Sequence, residues 1–327
     1  TFSWADGGAV QLAPQAHAEF LDPIAAEVRG GGRLMMLNLF PEAMRFHAQN
    51  ADLLGSEVWQ LVEASSASRL RRALAGQKVV SNLLQWGWGS PTYITYEQMG
   101  QFIRGQLFWG FYPAVSSAGG PMNGGAPDRY FLHPELYERD RPLFQFYMPV
   151  IKLLGAAGWE PVTGASGAPA VELERFGAFG RGPVYLTMRG PNGGASGVTS
   201  VLTLDLPVCG LATTAWQLAC REVLTGTPLD FVLLDDPPRL CCTVVLAAGE
   251  VGVIEITPQP VPNGDYDGDG AIGPTDLLPA LWCLRGPGIA FTPGHSCLTA
   301  DLDTDTDVDL ADLAGFQQRY TQPAGPN

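Results

Sequence analysis

The segments DYDGDGAIGPTD (265–276) and DLDTDTDVDLAD (301–312) are two copies of one twelve-residue pattern. The first places Asp265, Asp267 and Asp269 at loop positions 1, 3 and 5, Gly270 at 6, Ile272 at 8 and Asp276 at 12. The second places Asp301, Asp303, Asp305, Asp309 and Asp312 at positions 1, 3, 5, 9 and 12, with Val308 at 8. A hard divalent cation takes six to eight oxygens at about 2.3–2.6 Å, and carboxylates on alternate residues of a tightly wound loop supply them from one side. Position 7 offers its backbone carbonyl, so Ala271 and Asp307 serve alike despite their different side chains. The spacing predicts two calcium sites, the first leaving position 9 (Gly273) to solvent where Asp309 holds it in the second.

Each loop runs into an apolar stripe, Leu277/Leu278/Leu281/Trp282 and Leu310/Leu313/Phe316, for which a solvated tail has no use. The alternative is such a tail, since residues 265–327 hold ten aspartates, no glutamate and two arginines, more than half of the net charge of −14. Clustered carboxylates repel in the absence of an ion, so order here is expected to depend on metal. Both loops end on Asp where an ordinary EF-hand ends on Glu. In this the pair resembles dockerin modules, which anchor secreted polysaccharide-degrading enzymes. The resemblance spans 264–320 and implies a small helical EF-hand module over 265–320 with a cohesin-like protein partner. Thr306 departs from it, standing where glycine is usual and where a β-branched residue is strained at positive φ. Pro274/Thr275 and Leu310/Ala311 also depart from the small hydroxyl pair that dockerins of cellulosomes present to cohesin.

At 327 residues and 46% hydrophobic content, the chain is long enough for two or three domains. A charged fraction of only 16%, with 40 Gly and 27 Pro, suits a β-rich, loop-heavy extracellular protein. The acidic balance argues against nucleic acid, and Lys78 and Lys152 are the only lysines. No apolar run is long enough to span a bilayer. There is no signal peptide and no initiator Met, and Thr1 falls inside a strand-like run, so the chain reads as a processed product or a fragment. Six cysteines in an extracellular setting favour disulfides, with fifteen possible connectivities. Cys283 and Cys297 flank the insertion LRGPGIAFTPGHS and are expected to pair; for Cys209, Cys220, Cys241 and Cys242 buried free thiols are the alternative.

Residues 1–160 alternate strand-like and helix-like segments, the signature of βα units around a parallel sheet. Strands are predicted at 1–5, 33–39, 51–55, 78–84 and 110–115, and helices near 14–29, 57–75, 95–108 and 134–157. Five strands cannot close an eight-stranded TIM barrel, so a truncated, partial (β/α) barrel is expected. From 170 to 257 the runs PVYLTM, VTSVLTLDL, DFVLLD, CTVVLA and VGVIEI, parted by Gly, Pro and Asn, predict an antiparallel β-sandwich. TPQPVPNG leads into the acidic loops, and 258–264 reads as a Pro-rich linker.

WGFYPAVSS (109–117), YFLHPELYERDRPLFQFYMPVIKLLGAAGWEPVT (130–163), VELERFG (171–177), REVLTGTPLD (221–230) and VLAAGEVGVIEI (245–256) resemble the end of a glycoside-hydrolase barrel and its C-terminal β-domain. The likeness is to the clan of alpha-galactosidases and alpha-glucosidases, over about residues 1–256. It implies catalytic carboxylates after the fourth and sixth strands, which fall on Asp6 as nucleophile and Glu57 as acid/base, with Asp52 kept as an alternative because the clan usually has Asp in both roles. A retaining glycosidase needs two such groups about 5–5.5 Å apart. A turn aspartate and a glutamate in a first helical turn are the plain structural readings of these two. For sugar binding, Trp86 and Trp88 in QWGWGSP offer flat apolar faces, Trp109 and Tyr112 lie near the next strand, and Asn38 and Asn82 at strand ends could bond hydroxyls. The ERDR run, 138–141, is expected to form ion pairs on a helix. A secreted polysaccharide hydrolase is thus the leading expectation, and a non-catalytic carbohydrate-binding or display protein the second.

Overall fold

The computed structural model describes residues 13–38, 51–62, 65–86, 92–120, 129–190, 197–211, 216–235, 237–260, 264–265, 272–291 and 296–320. Four parallel strands stand side by side in chain order: β1 (Met36–Asn38), β2 (Leu53–Val58), β3 (Val79–Gln85) and β4 (Tyr112–Ser117). Helix α1 (Ala13–Gly30) precedes β1, α2 (Ser65–Ala75) and α3 (Tyr96–Trp109) cross from β2 to β3 and from β3 to β4, and α4 (Pro134–Ala157) follows. These are the expected βα units, forming an open four-stranded sheet among the described residues. The strand predicted at 1–5 lies outside them.

Local chemistry sets the ends of α3. Thr95 Oγ1 accepts the Gln98 N–H and the Gln98 side chain accepts the Thr95 N–H, while Gly110 closes the helix at φ +61°. The apolar face of α3, Met99, Phe102, Ile103 and Leu107, packs on Leu54, Val58, Val80 and Leu84 of the sheet and on Ile151 and Leu154 of α4. The helix predicted from residue 57 begins only at Ser65. Strand β2 continues to Val58 because Leu54, Ser56 and Val58, on its helix-facing side, are all buried. Glu57 is therefore a strand residue, and its reading as a helix-opening glutamate is corrected.

Two antiparallel sheets follow. One runs β10 (Trp216–Glu222), β13 (Val251–Pro260), β8 (Val184–Arg189), β7 (Glu172–Phe176), β5 (Trp159–Glu160). The other runs β11 (Phe231–Asp235), β12 (Pro238–Leu246), β9 (Val198–Asp205), β6 (Ala165–Ser166). Pairing starts at Trp159, and β13 stays paired to β10 as far as Pro260 opposite Trp216, so the tract read as a linker from 258 begins as strand. Past Ile256 only β10 lies beside it, where prolines, which cannot donate to a ladder, are tolerated.

The five-stranded sheet is covered on both faces. Val184, Leu186, Met188, Ile254 and Ile256 share a core with Leu202, Leu204 and Leu240 of the second sheet. Tyr185, Val251, Val253 and Phe176 join the core of α3 and α4. Every residue of β8 is consequently buried, which explains its unbroken run of bulky side chains. The result is four layers: the parallel sheet, helices, five strands, four strands. Among the described residues no helix is long and apolar enough to cross a membrane.

The C-terminal region carries α5 (Pro274–Cys283) and α6 (Leu310–Arg319). Ile272 packs with Leu302 and Phe316, and Val308 with Cys283 and Phe291, so each loop's position-8 residue is buried against the other copy's elements. Cys283 and Cys297 form the expected disulfide. The remaining four cysteines are thiols rather than the disulfides that the even count favoured. Of the predicted apolar stripes, Phe316 is buried, whereas Leu278, Trp282 and Leu310 face solvent, Trp282 at 81% exposure.

Candidate functional site

On the parallel sheet the alternation of side chains decides what each residue can reach. The even-numbered residues of β2 and β3 face the helices, and Glu57, Ser81 and Leu83 face the other way and are half-buried. Asn38 sits in register with Gly55 and so shares the face of Glu57. Its Nδ2 donates to Glu57 Oε1 at 2.7 Å, linking the carboxyl ends of β1 and β2 and leaving Oε2 free of that bond. Gly55 beneath them allows the close approach, since a Cβ there would stand 2.7 Å from Met36 Cε.

The other sugar-site expectations fare differently. Asn82 points to the helix layer, where its Nδ2 donates to Gln106 Oε1 at 2.7 Å and its buried Oδ1 has no protein partner. It is a core polar residue and not a hydroxyl-binding group at a strand end. Trp86 is half-buried against the main core, with its carbonyl accepting from Ser117 Oγ, so its ring is not the freely exposed platform expected. Trp109 is a buried core side chain, and Tyr112 packs on the same core. Asp6 and Trp88 lie outside the described residues. The alternative acid, Asp52, stands at the amino end of β2, accepting the Met35 N–H at 2.8 Å and pairing with Arg29 at 3.0 Å. The Met35 N–H, with Arg29 and Lys78 behind it, holds its carboxyl below the usual range, against a smaller opposing effect of burial. It fastens α1 to the sheet at the end away from Glu57. The ERDR run forms the expected ion pairs, Glu138 with Arg141 and Arg139 with Asp140, and the buried Asp140 also accepts the Tyr130 hydroxyl.

The acidic loops form the second site. In loop 2 the Asp301 carboxylate accepts the N–H of Asp305 at 3.1 Å and of Thr306 at 2.9 Å, which winds the chain around position 1. Asp312 accepts from Leu302, Asp303 and Asp309, tying position 12 back across the loop. Loop 1 repeats the last of these contacts: Gly273 N–H donates to Asp276 Oδ2 at 2.7 Å, as Asp309 N–H does to Asp312 Oδ2 at 2.8 Å. Asp265 and Asp276 are buried, and Asp267, Asp269 and Ala271 lie outside the described residues.

Carboxylate oxygens of Asp301, Asp303 and Asp305 lie within 4.8 Å of one another, and so do those of Asp307, Asp309 and Asp312. Burial first, then the crowding of Asp312, Asp305 and Asp301, holds the Asp303 carboxyl above the usual range. A cation among these oxygens would relieve that crowding, and the oxygen-only donor set suits a hard one. The insertion pairs along loop 2: the carbonyls of Thr306 and Val308 accept from Phe291, Arg285 and Gly286. The buried Asp307 side chain accepts the Gly288 N–H through Oδ2, while Oδ1 has no protein partner. Sequence reasoning gave this residue only a carbonyl role; a sixth acid in a loop whose pattern uses five was the signal.

No protein-family model matches the chain, and no curated protein matches its sequence. Among solved structures it is similar to alpha-galactosidase I from Mortierella vinacea, with TM-score 0.46, 10% identity, and coverage of 76% of this chain and 65% of the other. It is also similar to an alpha-L-fucosidase from Bacteroides thetaiotaomicron, at 0.35 and 11%, covering 75% and 61%. A third is the alpha-L-arabinofuranosidase from Thermotoga petrophila, at 0.29 and 8%, covering 75% and 62%. These neighbours are glycoside hydrolases, and the chain spans less than two thirds of each. With TM-scores below 0.5 they assign no group a role, and the chemistry rests on this chain's own residues.

Proposed function

We propose that the chain is part of an exported glycoside hydrolase acting on the O-glycosyl bonds of a polysaccharide. In this reading Glu57 is the acid/base and Asp6 the nucleophile of a retaining mechanism. The supporting observation is the Asn38–Glu57 pair at the carboxyl ends of adjacent parallel strands, on the face turned from the helices, where enzymes built on βα units place their chemistry. Asn38 fixes one Glu57 oxygen, and the other is left to give its proton to the leaving oxygen and then take one from water. The last residues, 265–320, form a dockerin-type module whose Asp265, Asp267, Asp269, Ala271 and Asp276, and Asp301, Asp303, Asp305, Asp307, Asp309 and Asp312, hold two calcium ions and present the module to a cohesin-like partner. There calcium supplies cohesion of the loops and no catalytic step.

The test is hydrolysis of a polysaccharide panel by the protein. Glu57→Gln should lower kcat by about 10²–10⁴-fold with unchanged circular dichroism. Turnover that survives Glu57→Gln and Asp6→Asn would overturn the assignment.

A further inference from the structure

Cys220 and Cys242 stand in different sheets of the sandwich. Cys220 lies on β10 opposite Ile256 of β13, and Cys242 lies on β12 opposite Phe231 of β11 and Leu202 of β9. Both are buried, at 6% and 4% exposure, in the one apolar core that also contains Ile256 and Leu202. Each side chain therefore enters the space between the sheets from its own wall, into the same apolar cluster. Cys241, one residue away, turns to the other face of β12 and touches Thr203 Oγ1. Cys209 sits on a short turn after β9, beside Arg175.

A disulfide forms where backbone geometry brings two sulfurs together, and β10 and β12, from the two sheets, turn these two side chains into one buried cluster. We propose that Cys220 and Cys242 close to a disulfide joining the two sheets when the chain folds in the presence of a disulfide oxidant, and remain a buried dithiol otherwise. The oxidant is a small-molecule or protein disulfide. Two cysteine S–H bonds and the oxidant's S–S bond break, one S–S bond and two S–H bonds form, and two electrons and two protons pass to the oxidant. The step belongs to folding rather than to the finished molecule. Attack needs a thiolate and access, and in the closed core the hydrogen bond that the Cys220 thiol donates to Cys242, with burial, holds it far above its ordinary range. For the same reason the bridge, once made, is shielded from external thiols.

The full chain, refolded in reduced and oxidised glutathione, is alkylated in denaturant, digested and mapped by tandem mass spectrometry. The same is done for Cys241→Ser, which removes the ambiguity of the neighbouring cysteine. The expected map joins Cys220 to Cys242 and Cys283 to Cys297 and leaves Cys209 alkylated. Alkylated Cys220 and Cys242 beside an intact Cys283–Cys297 bridge would overturn the proposal, as would Cys220 joined to Cys209. In a Cys283→Ser/Cys297→Ser background, reductant should lower the Tm by roughly 5–10 °C. An unchanged Tm would equally count against an inter-sheet bridge.

Discussion

Two residues hold the chain in conformations that their side chains decide. Thr306 stands at φ +79° and Thr304 at +67°, a region costing an L-residue about 1–2 kcal/mol. The strain at Thr306 was readable from sequence alone, because position 6 of the loop needs a sharp turn. Thr306→Gly should tighten metal uptake by loop 2 several-fold, about 1 kcal/mol, measured by calorimetric titration. Gly110 is the opposite case. At φ +61° a Cβ would stand 2.6 Å from Phe176 Cε1, so Gly110→Ala meets both strain and overlap. It should cost about 2–4 kcal/mol, seen as a lower urea midpoint at unchanged slope.

At the level of elements, helices 13–30, 65–75, 96–109 and 134–157 were largely legible because amphipathic spacing and caps are local signals. The face of Asn82 was not legible, since apolar residues fall on both parities of its strand, Val79 and Leu83 as well as Val80 and Leu84, and only the structure shows which side meets the helices. What fastens α2 to the sandwich was not legible. Ser65 and Arg189 both reach Glu172, Arg69 reaches Glu174, and Arg189 lies over the Phe108 ring, contacts mostly between residues far apart in sequence. Burial works to raise the Glu172 carboxyl, yet the bond and charge of Arg189, with Ser65, bring it below the usual range. A depressed folded value stabilises the fold above the ordinary carboxylate range and is lost as pH falls through it. The fall in urea midpoint between pH 6 and pH 3 should accordingly be smaller in Glu172→Gln than in the native chain.

For the whole molecule, the four layers share two adjoining cores, while the acidic loops rely on small apolar clusters and crowded carboxylates. Chelation should therefore melt 265–320 and leave the layers standing. Limited proteolysis in chelator is expected to clip the loops and spare residues 65–256, and added calcium should restore protection. Loss of protection throughout the chain would contradict this division. The parallel sheet, the sandwich strands and the loop carboxylates were visible in patterns of period two and in fixed spacing. The burial of the five-stranded sheet on both faces was not, because it follows from how separate segments meet.

The last strand of the sandwich is also the tether of the acidic loops. Strand β13 lies inside its sheet, paired over Val251–Ile256 with β8 and over Ile254–Pro260 with β10. A tug on the C-terminal end thus loads two ladders of backbone bonds lengthwise, all at once, instead of peeling them in turn. In a force-clamp pulled from the C-terminus, the loops should give way first and the sandwich should hold to far higher tension.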